Sequence, residues 1–158
     1  MSSMWRMTCL VLAAATLAAC GAKTAIYDPS RDPQADVRTA AEQARREQKH
    51  IVLVIGGDWC VWCVRLDRFI RDTPEIAAAW NAQFVTVHVN SSPENENAAF
   101  LGTYPRIQGY PHIFVLDRDG RLLHSQDTSV LEAGKGYSPE RMKAFLEQWK
   151  PKPGGPRA

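Results

Sequence analysis

The chain reads as an α/β protein with a mixed central sheet flanked by helices, and three observations predict it. Ile51-Val52-Leu53-Val54-Ile55 is a continuous, mostly β-branched run, the composition of a strand buried on both faces. A second run, Phe84-Val85-Thr86-Val87-His88-Val89, follows a stretch with helical spacing, and strands that alternate with helices favour parallel pairing. A hairpin then adds an antiparallel edge: His112 to Leu116, the turn Asp117-Arg118-Asp119-Gly120, and Arg121 to Ser125. Asp-Gly supplies the turn.

Taken in order, the elements begin after a leader. Arg6 precedes a largely apolar stretch of 13 residues from Met7 to Ala19. A spanning helix needs roughly 20 apolar residues, so the stretch suits a secretory signal. It ends in Leu17-Ala18-Ala19-Cys20, which resembles the lipobox of bacterial lipoproteins. That resemblance implies cleavage before Cys20 and a lipid on its thiol. Gly21 stands where an aspartate would signal inner-membrane retention, which favours the outer membrane. The alternative is an ordinary secretory signal with an incidental cysteine. The expected organisation is a signal peptide at 1–19, a lipidated tether at 20–31, a folded domain at 32–149 and a disordered tail at 150–158.

Within the domain, Asp32-Pro33 starts a helix that runs to about Gln48, with Val37, Ala40, Ala41 and Ala44 as its apolar stripe. Gly56-Gly57 ends the first strand. Trp62, Leu66, Phe69 and Ile70 then recur at helical spacing, which puts Cys60 at a helix N-terminus. Thr73-Pro74-Glu75 restarts a short helix ending near Trp80. Ser92-Pro93-Glu94 is expected to start another, ending at Gly102, and residues 126–137 to form a surface loop. Ser138-Pro139 caps the last helix, striped by Met142, Phe145, Leu146 and Trp149.

Composition narrows the function classes. The 158 residues are 45% hydrophobic and 23% charged, which is globular rather than disordered. The net charge is +2 and falls to +1 once Arg6 leaves with the leader. No basic cluster marks a nucleic-acid surface, and membrane attachment would have to come from acyl chains. With Cys9 in the leader and Cys20 assigned to lipid, Cys60 and Cys63 alone remain for thiol chemistry. One close pair in an oxidising compartment points to redox exchange rather than a disulfide framework.

The spacing has a physical logic. A free cysteine, with a pKa of ~8.5, is mostly protonated at neutral pH, and the thiolate is the nucleophile. Unpaired N–H groups and the dipole at a helix N-terminus stabilise that anion. Cys60 is therefore the expected attacking thiol and Cys63 the more buried resolving one.

Asp58-Trp59-Cys60-Val61-Trp62-Cys63, between a strand and an amphipathic helix, resembles the W-C-x-x-C segment of the thioredoxin family. Gly109-Tyr110-Pro111, directly before the strand from His112, matches that family's cis-proline loop. The resemblance covers roughly residues 33–149. It implies a thioredoxin-like fold, a cis Pro111 across from Cys60, and a substrate surface of Trp59, Trp62, Tyr110 and Pro111. It implies no cofactor. Its implied partners are periplasmic protein thiols or disulfides and a redox donor or acceptor protein. Thioredoxin itself carries a buried acid six residues before the first cysteine; here that position is Val54. The proton acceptor for Cys63 must then be water or another group, with Asp58 and Asp67 as candidates and Arg65 as the nearby cation.

Three function classes stay open. The first is a membrane-anchored periplasmic thiol–disulfide oxidoreductase. The second is a metal (copper) carrier using the cysteine pair with His112, which its position next to Pro111 is expected to place near the sulfurs. The third is a redox-inactive adaptor on the same fold. Zinc would need four ligands, and His50, His88, His112 and His124 lack ligand spacing to one another, so no metal site is assigned.

Overall fold

The computed structural model describes residues 25–152. The signal peptide, Cys20 and most of the expected disordered tail therefore lie outside the described residues. The elements are α1 (Pro33–Glu47), β1 (His50–Gly56), α2 (Val61–Asp72), α3 (Pro74–Gln83), β2 (Phe84–Asn90), α4 (Ala98–Leu101), β3 (His112–Leu116), β4 (Leu122–Asp127), a 3-10 turn (Thr128–Leu131), β5 (Glu132–Ala133), β6 (Gly136–Tyr137) and α5 (Pro139–Gln148).

Four strands form the sheet in the order β2-β1-β3-β4. β1 and β2 are parallel, with His50 opposite Phe84, whereas β1–β3 and β3–β4 are antiparallel. The strictly alternating side chains of β1 sort two cores. Val52 and Val54 point to one face, with Leu66 of α2, Ile76 and Trp80 of α3, and Met142, Phe145 and Leu146 of α5. Ile51, Leu53 and Ile55 point to the other, where Ala40, Ala41 and Ala44 of α1 and Phe100 of α4 cover them. Alanines let α1 lie close on the sheet as a covering layer.

The helix starts follow their caps. Asp32 accepts from the Gln34 N–H and Ser138 from the Arg141 N–H, each followed by proline at the first helical position. In the β3–β4 turn, Gly120 has φ 86°, a value that excludes most side chains.

Two expectations need correction. Ser92 does not start a helix: Ser92 and Asn95 bridge to each other, and only Ala98–Leu101 is helical. Side-chain amides prevail there, since Asn90 donates to Ser92 and to the Asn95 carbonyl, and Asn97 donates to the Asn90 carbonyl. Residues 126–137 are likewise not a plain loop. Asp127 caps the 3-10 turn and β5 pairs with β6, while Arg141 donates to the Val130 and Glu132 carbonyls. Among the described residues, no helix is long and apolar enough to cross a membrane.

Candidate active site

β1 runs out at Gly56, the chain turns through Gly57 and Asp58, and Cys60 becomes the N-cap of α2. Cys60 and Cys63 are joined as a disulfide, with Cα atoms 5.2 Å apart. The Cys63 N–H donates to the Cys60 sulfur at 3.1 Å. That N–H is one of the four a helix start leaves unpaired, so the same geometry serves a Cys60 thiolate. Cys60 keeps 6% of its surface exposed and Cys63 none, which makes Cys60 the cysteine nearer to solvent.

The rim beside the pair is aromatic. Trp59 is 57% exposed, and its indole N–H donates to the Ser91 carbonyl at 2.9 Å. Its ring meets Tyr110 edge-on at 5.8 Å, and the Tyr110 and Ser91 hydroxyls are 3.0 Å apart. The Tyr110–Pro111 bond is cis, and the Pro111 carbonyl accepts from the Thr128 hydroxyl. Trp59 and Tyr110 thus belong to one rim pinned to the end of β2. They line a groove of about 1280 Å³ that continues past Leu101, Tyr104 and Ile107. Trp62 lies apart from them. It is half-buried against Tyr137, with the Arg65 guanidinium 4.7 Å over its ring.

Neither candidate acid takes up the position of the missing one. Val54 sits in the apolar core below α2. One Asp58 oxygen accepts from the Ile26 and Tyr27 N–H groups, and Asp67 pairs with Arg71 one helical turn on. His112 requires a correction. It shares parity on β3 with Phe114 and Leu116, faces the α1 side of the sheet, lies tilted against the Phe114 ring and hydrogen-bonds with the Ser125 hydroxyl. That is the face opposite Val54 and Leu66, so adjacency to Pro111 does not bring it to the sulfurs. Among the described residues, no three His, Cys, Asp or Glu side chains gather in a metal-binding group.

The residue sequence reasoning missed is Tyr27. The segment expected to be a tether folds back, and Tyr27 is 2% exposed, clustered with Cys60 and Cys63. Burial raises its phenol well above the ordinary tyrosine range, with the negative charges of Asp67 and Asp58 adding to the effect. Its ring meets His88 edge-on at 5.3 Å. Burial in turn lowers the His88 imidazole below the usual histidine value. A lone aromatic in a stretch without periodicity carries no sequence signal for such packing.

Comparison with known proteins agrees with this geometry. A family profile described as thioredoxin-like matches residues 32–118. A curated relative, the disulfide bond reductase DsbH of Chlamydia pneumoniae, is 25% identical over 120 residues, covering 70% of this chain. The match spans 66% of that relative, just under two thirds of its length. Among solved structures, a disulphide isomerase from Xylella fastidiosa is 25% identical with a TM-score of 0.69, covering 80% of this chain and 98% of the other. The oxidised C-terminal domain of DsbD from Neisseria meningitidis superposes at TM-score 0.53 and 22% identity, over 75% of this chain and 97% of that one. The latter likeness is one of fold. With the matched profile spanning more than half of its residues and the cysteine pair bonded at the start of α2, the chain belongs to the thioredoxin-like family.

Proposed function

We propose that this chain is a thiol–disulfide oxidoreductase of the bacterial envelope, held at the membrane by lipid on Cys20 and exchanging disulfides with protein substrates through Cys60 and Cys63. The observation that carries it is the bonded pair at the N-terminus of α2, with the more exposed cysteine as the cap residue. In the reducing direction the Cys60 thiolate attacks a substrate disulfide, releasing one substrate thiolate and forming a mixed disulfide. Cys63, as thiolate, then attacks the Cys60 sulfur. The second substrate thiol leaves and the Cys60–Cys63 bond re-forms, so two electrons pass from the pair to the substrate. Oxidation of a substrate dithiol runs the same steps backwards. Trp59, Tyr110 and Pro111 receive an extended substrate segment along the adjoining groove, with Trp62 on the other flank.

A curated relative and a solved structure, each 25% identical, are named for a reductase and an isomerase, which supports disulfide exchange in this chain without choosing its direction. The envelope location rests on the leader, on Cys20, and on the likeness to Dsb proteins.

Substitution Cys63→Ala in cells, followed by non-reducing separation, tests the proposal. It should accumulate mixed disulfides between Cys60 and envelope proteins, and Cys60→Ala should accumulate none. Tight binding of one Cu(I) equivalent with nothing trapped would establish the carrier instead. An unchanged phenotype in the double cysteine variant would establish the adaptor. Equilibration with glutathione then fixes the direction: a potential near about −270 mV marks a reductase and near about −120 mV an oxidant.

A further inference from the structure

Resolution of the mixed disulfide needs Cys63 as a thiolate, yet Cys63 is fully buried and Val54 replaces the acid that would serve it. Burial in apolar surroundings disfavours that anion. The structure places one unused polar atom beside this sulfur. The Tyr27 hydroxyl oxygen and the Cys63 sulfur lie 2.9 and 2.5 Å from the point where a Cβ on Gly56 would stand, so they are neighbours across one missing methyl. The hydroxyl is buried and, among the described residues, has no hydrogen-bond partner in the disulfide state. Tyr27 and Cys63 both line a recess of about 320 Å³ between α2 and β2. A buried hydroxyl left unpaired is costly, and such groups call for an explanation in another state of the protein.

We propose that Tyr27 is the hydrogen-bond donor to the Cys63 sulfur when the Cys60–Cys63 bond opens, taking over from the N-terminal segment the stabilising role that the strand residue Val54 cannot perform. Opening the disulfide gives the Cys63 sulfur its full acceptor capacity, and the phenol O–H turns to it. The hydrogen bond favours the thiol weakly and the thiolate strongly, because bonds to ionised acceptors are the stronger ones. Tyr27 keeps its own proton throughout, since burial holds its ionisation far above neutrality. The Cys63 proton leaves to water in the recess, and the electron pair on sulfur forms the new bond to Cys60. The other ionisable groups around this pair are Asp58 and Asp67 beside Tyr27, Arg71 and His88 lining the recess, and Tyr137 from β6. Asp67 is paired with Arg71, and Asp58 accepts backbone N–H groups. Among the described residues, Tyr27 forms a buried cluster with Cys60 and Cys63, against which the apolar Ile26 and Trp62 pack.

This deepens the oxidoreductase reading and rests on it, and Tyr27→Phe in the full chain tests it. The ring stays and only the hydroxyl goes. In the reduced variant, the pH midpoint of the Cys63 Cβ resonance should rise by about one unit. The equilibrium with glutathione should move about tenfold toward the disulfide, about 30 mV for a two-electron couple. Against urea, the oxidised variant should be as stable as the parent or more so, while the reduced variant loses stability. His88→Gln, which leaves the phenol in place, should hold the Cys63 midpoint within about 0.3 unit of the parent. A Cys63 midpoint and glutathione equilibrium unmoved by Tyr27→Phe would overturn the Tyr27 role and leave the redox function standing. A larger shift from His88→Gln than from Tyr27→Phe would overturn it in favour of the imidazole. Absence of any exchange between the parent protein and glutathione would instead remove the oxidoreductase reading itself.

Discussion

Trp59 donates its indole N–H to the carbonyl of Ser91, 2.9 Å away, and so fastens the active-site turn to the chain that leaves β2. Ser91 also holds the Tyr110 hydroxyl, at 3.0 Å, and its own N–H donates to the Gly56 carbonyl. One residue therefore joins the ends of β1 and β2, the tryptophan before Cys60 and the cis-proline loop. Replacement Trp59→Ala should raise KM for a disulfide-bonded peptide at least about tenfold, the effect of losing roughly 1.4 kcal/mol of contact. Because Trp59 is more than half exposed, the urea midpoint should shift little. Peptide reduction kinetics alongside urea unfolding separate the two effects, and an unchanged KM would remove Trp59 from the substrate surface.

Gly56 is required by close approach. A methyl there would stand 2.5 Å from the Cys63 sulfur and 2.9 Å from the Tyr27 oxygen. Gly56→Ala should therefore cost about 1–3 kcal/mol through overpacking. Combining it with Tyr27→Phe should cost less than the sum of the two single effects, because both changes meet in one contact. Strict additivity in a urea double-mutant cycle would contradict the proximity.

Asp58 accepts from the N–H groups of Ile26 and Tyr27, at 3.2 and 3.3 Å, across a sequence gap of about thirty residues. Asp58→Ala should release the segment before α1 without unfolding the sheet. Amide exchange at Ile26 and Tyr27 should accelerate at least about tenfold while Leu53 and Val54 keep their protection. Equal acceleration at all four amides would mean that the segment is held by the global fold rather than by this carboxylate.

Stability should fall in mild acid. His50, His88 and His112 all have pKa values lowered from 6.5, chiefly by burial. Each is thus neutral in the folded state and charges more readily when unfolded. Their contribution is fully present above 6.5 and is lost as pH falls through the lowered folded values, where the unfolded chain binds more protons. Urea midpoints should drop between about pH 7 and about pH 5 with m unchanged. His88→Gln should remove part of that drop, and an identical slope in the variant would show that His88 does not contribute.

The sequence exposed the parts of this fold that depend on short-range rules. Three Pro residues follow Asp32, Thr73 and Ser138, and each opens a helix, because proline suits the first turn and breaks later ones. The strand from Ile51 to Ile55 was legible because a short, mostly β-branched apolar run closed by Gly56-Gly57 suits a strand buried on both faces better than a helix. Ser92-Pro93-Glu94 misled because the same signal also starts a turn, and the competing asparagines act through side-chain geometry that spacing does not encode. His112 was misplaced although the information was present: its parity with Phe114 and Leu116 already put it on the α1 face. Tyr27 was beyond reach, since only the three-dimensional path of the chain brings it under Cys63.

The anchoring of Tyr27 also sets a working radius. Cys20 lies seven residues upstream of Tyr27, and a chain of that length reaches about 25 Å at full extension. The folded body is wider, roughly 35 Å across. A lipid on Cys20 would therefore hold the catalytic end of the domain toward the bilayer, whatever path the intervening residues take. Clients would have to present their cysteines close to the membrane surface. Inserting ten flexible residues between Cys20 and Tyr27 should widen the set of envelope proteins trapped by Cys63→Ala, with the chemistry at the pair left as it was.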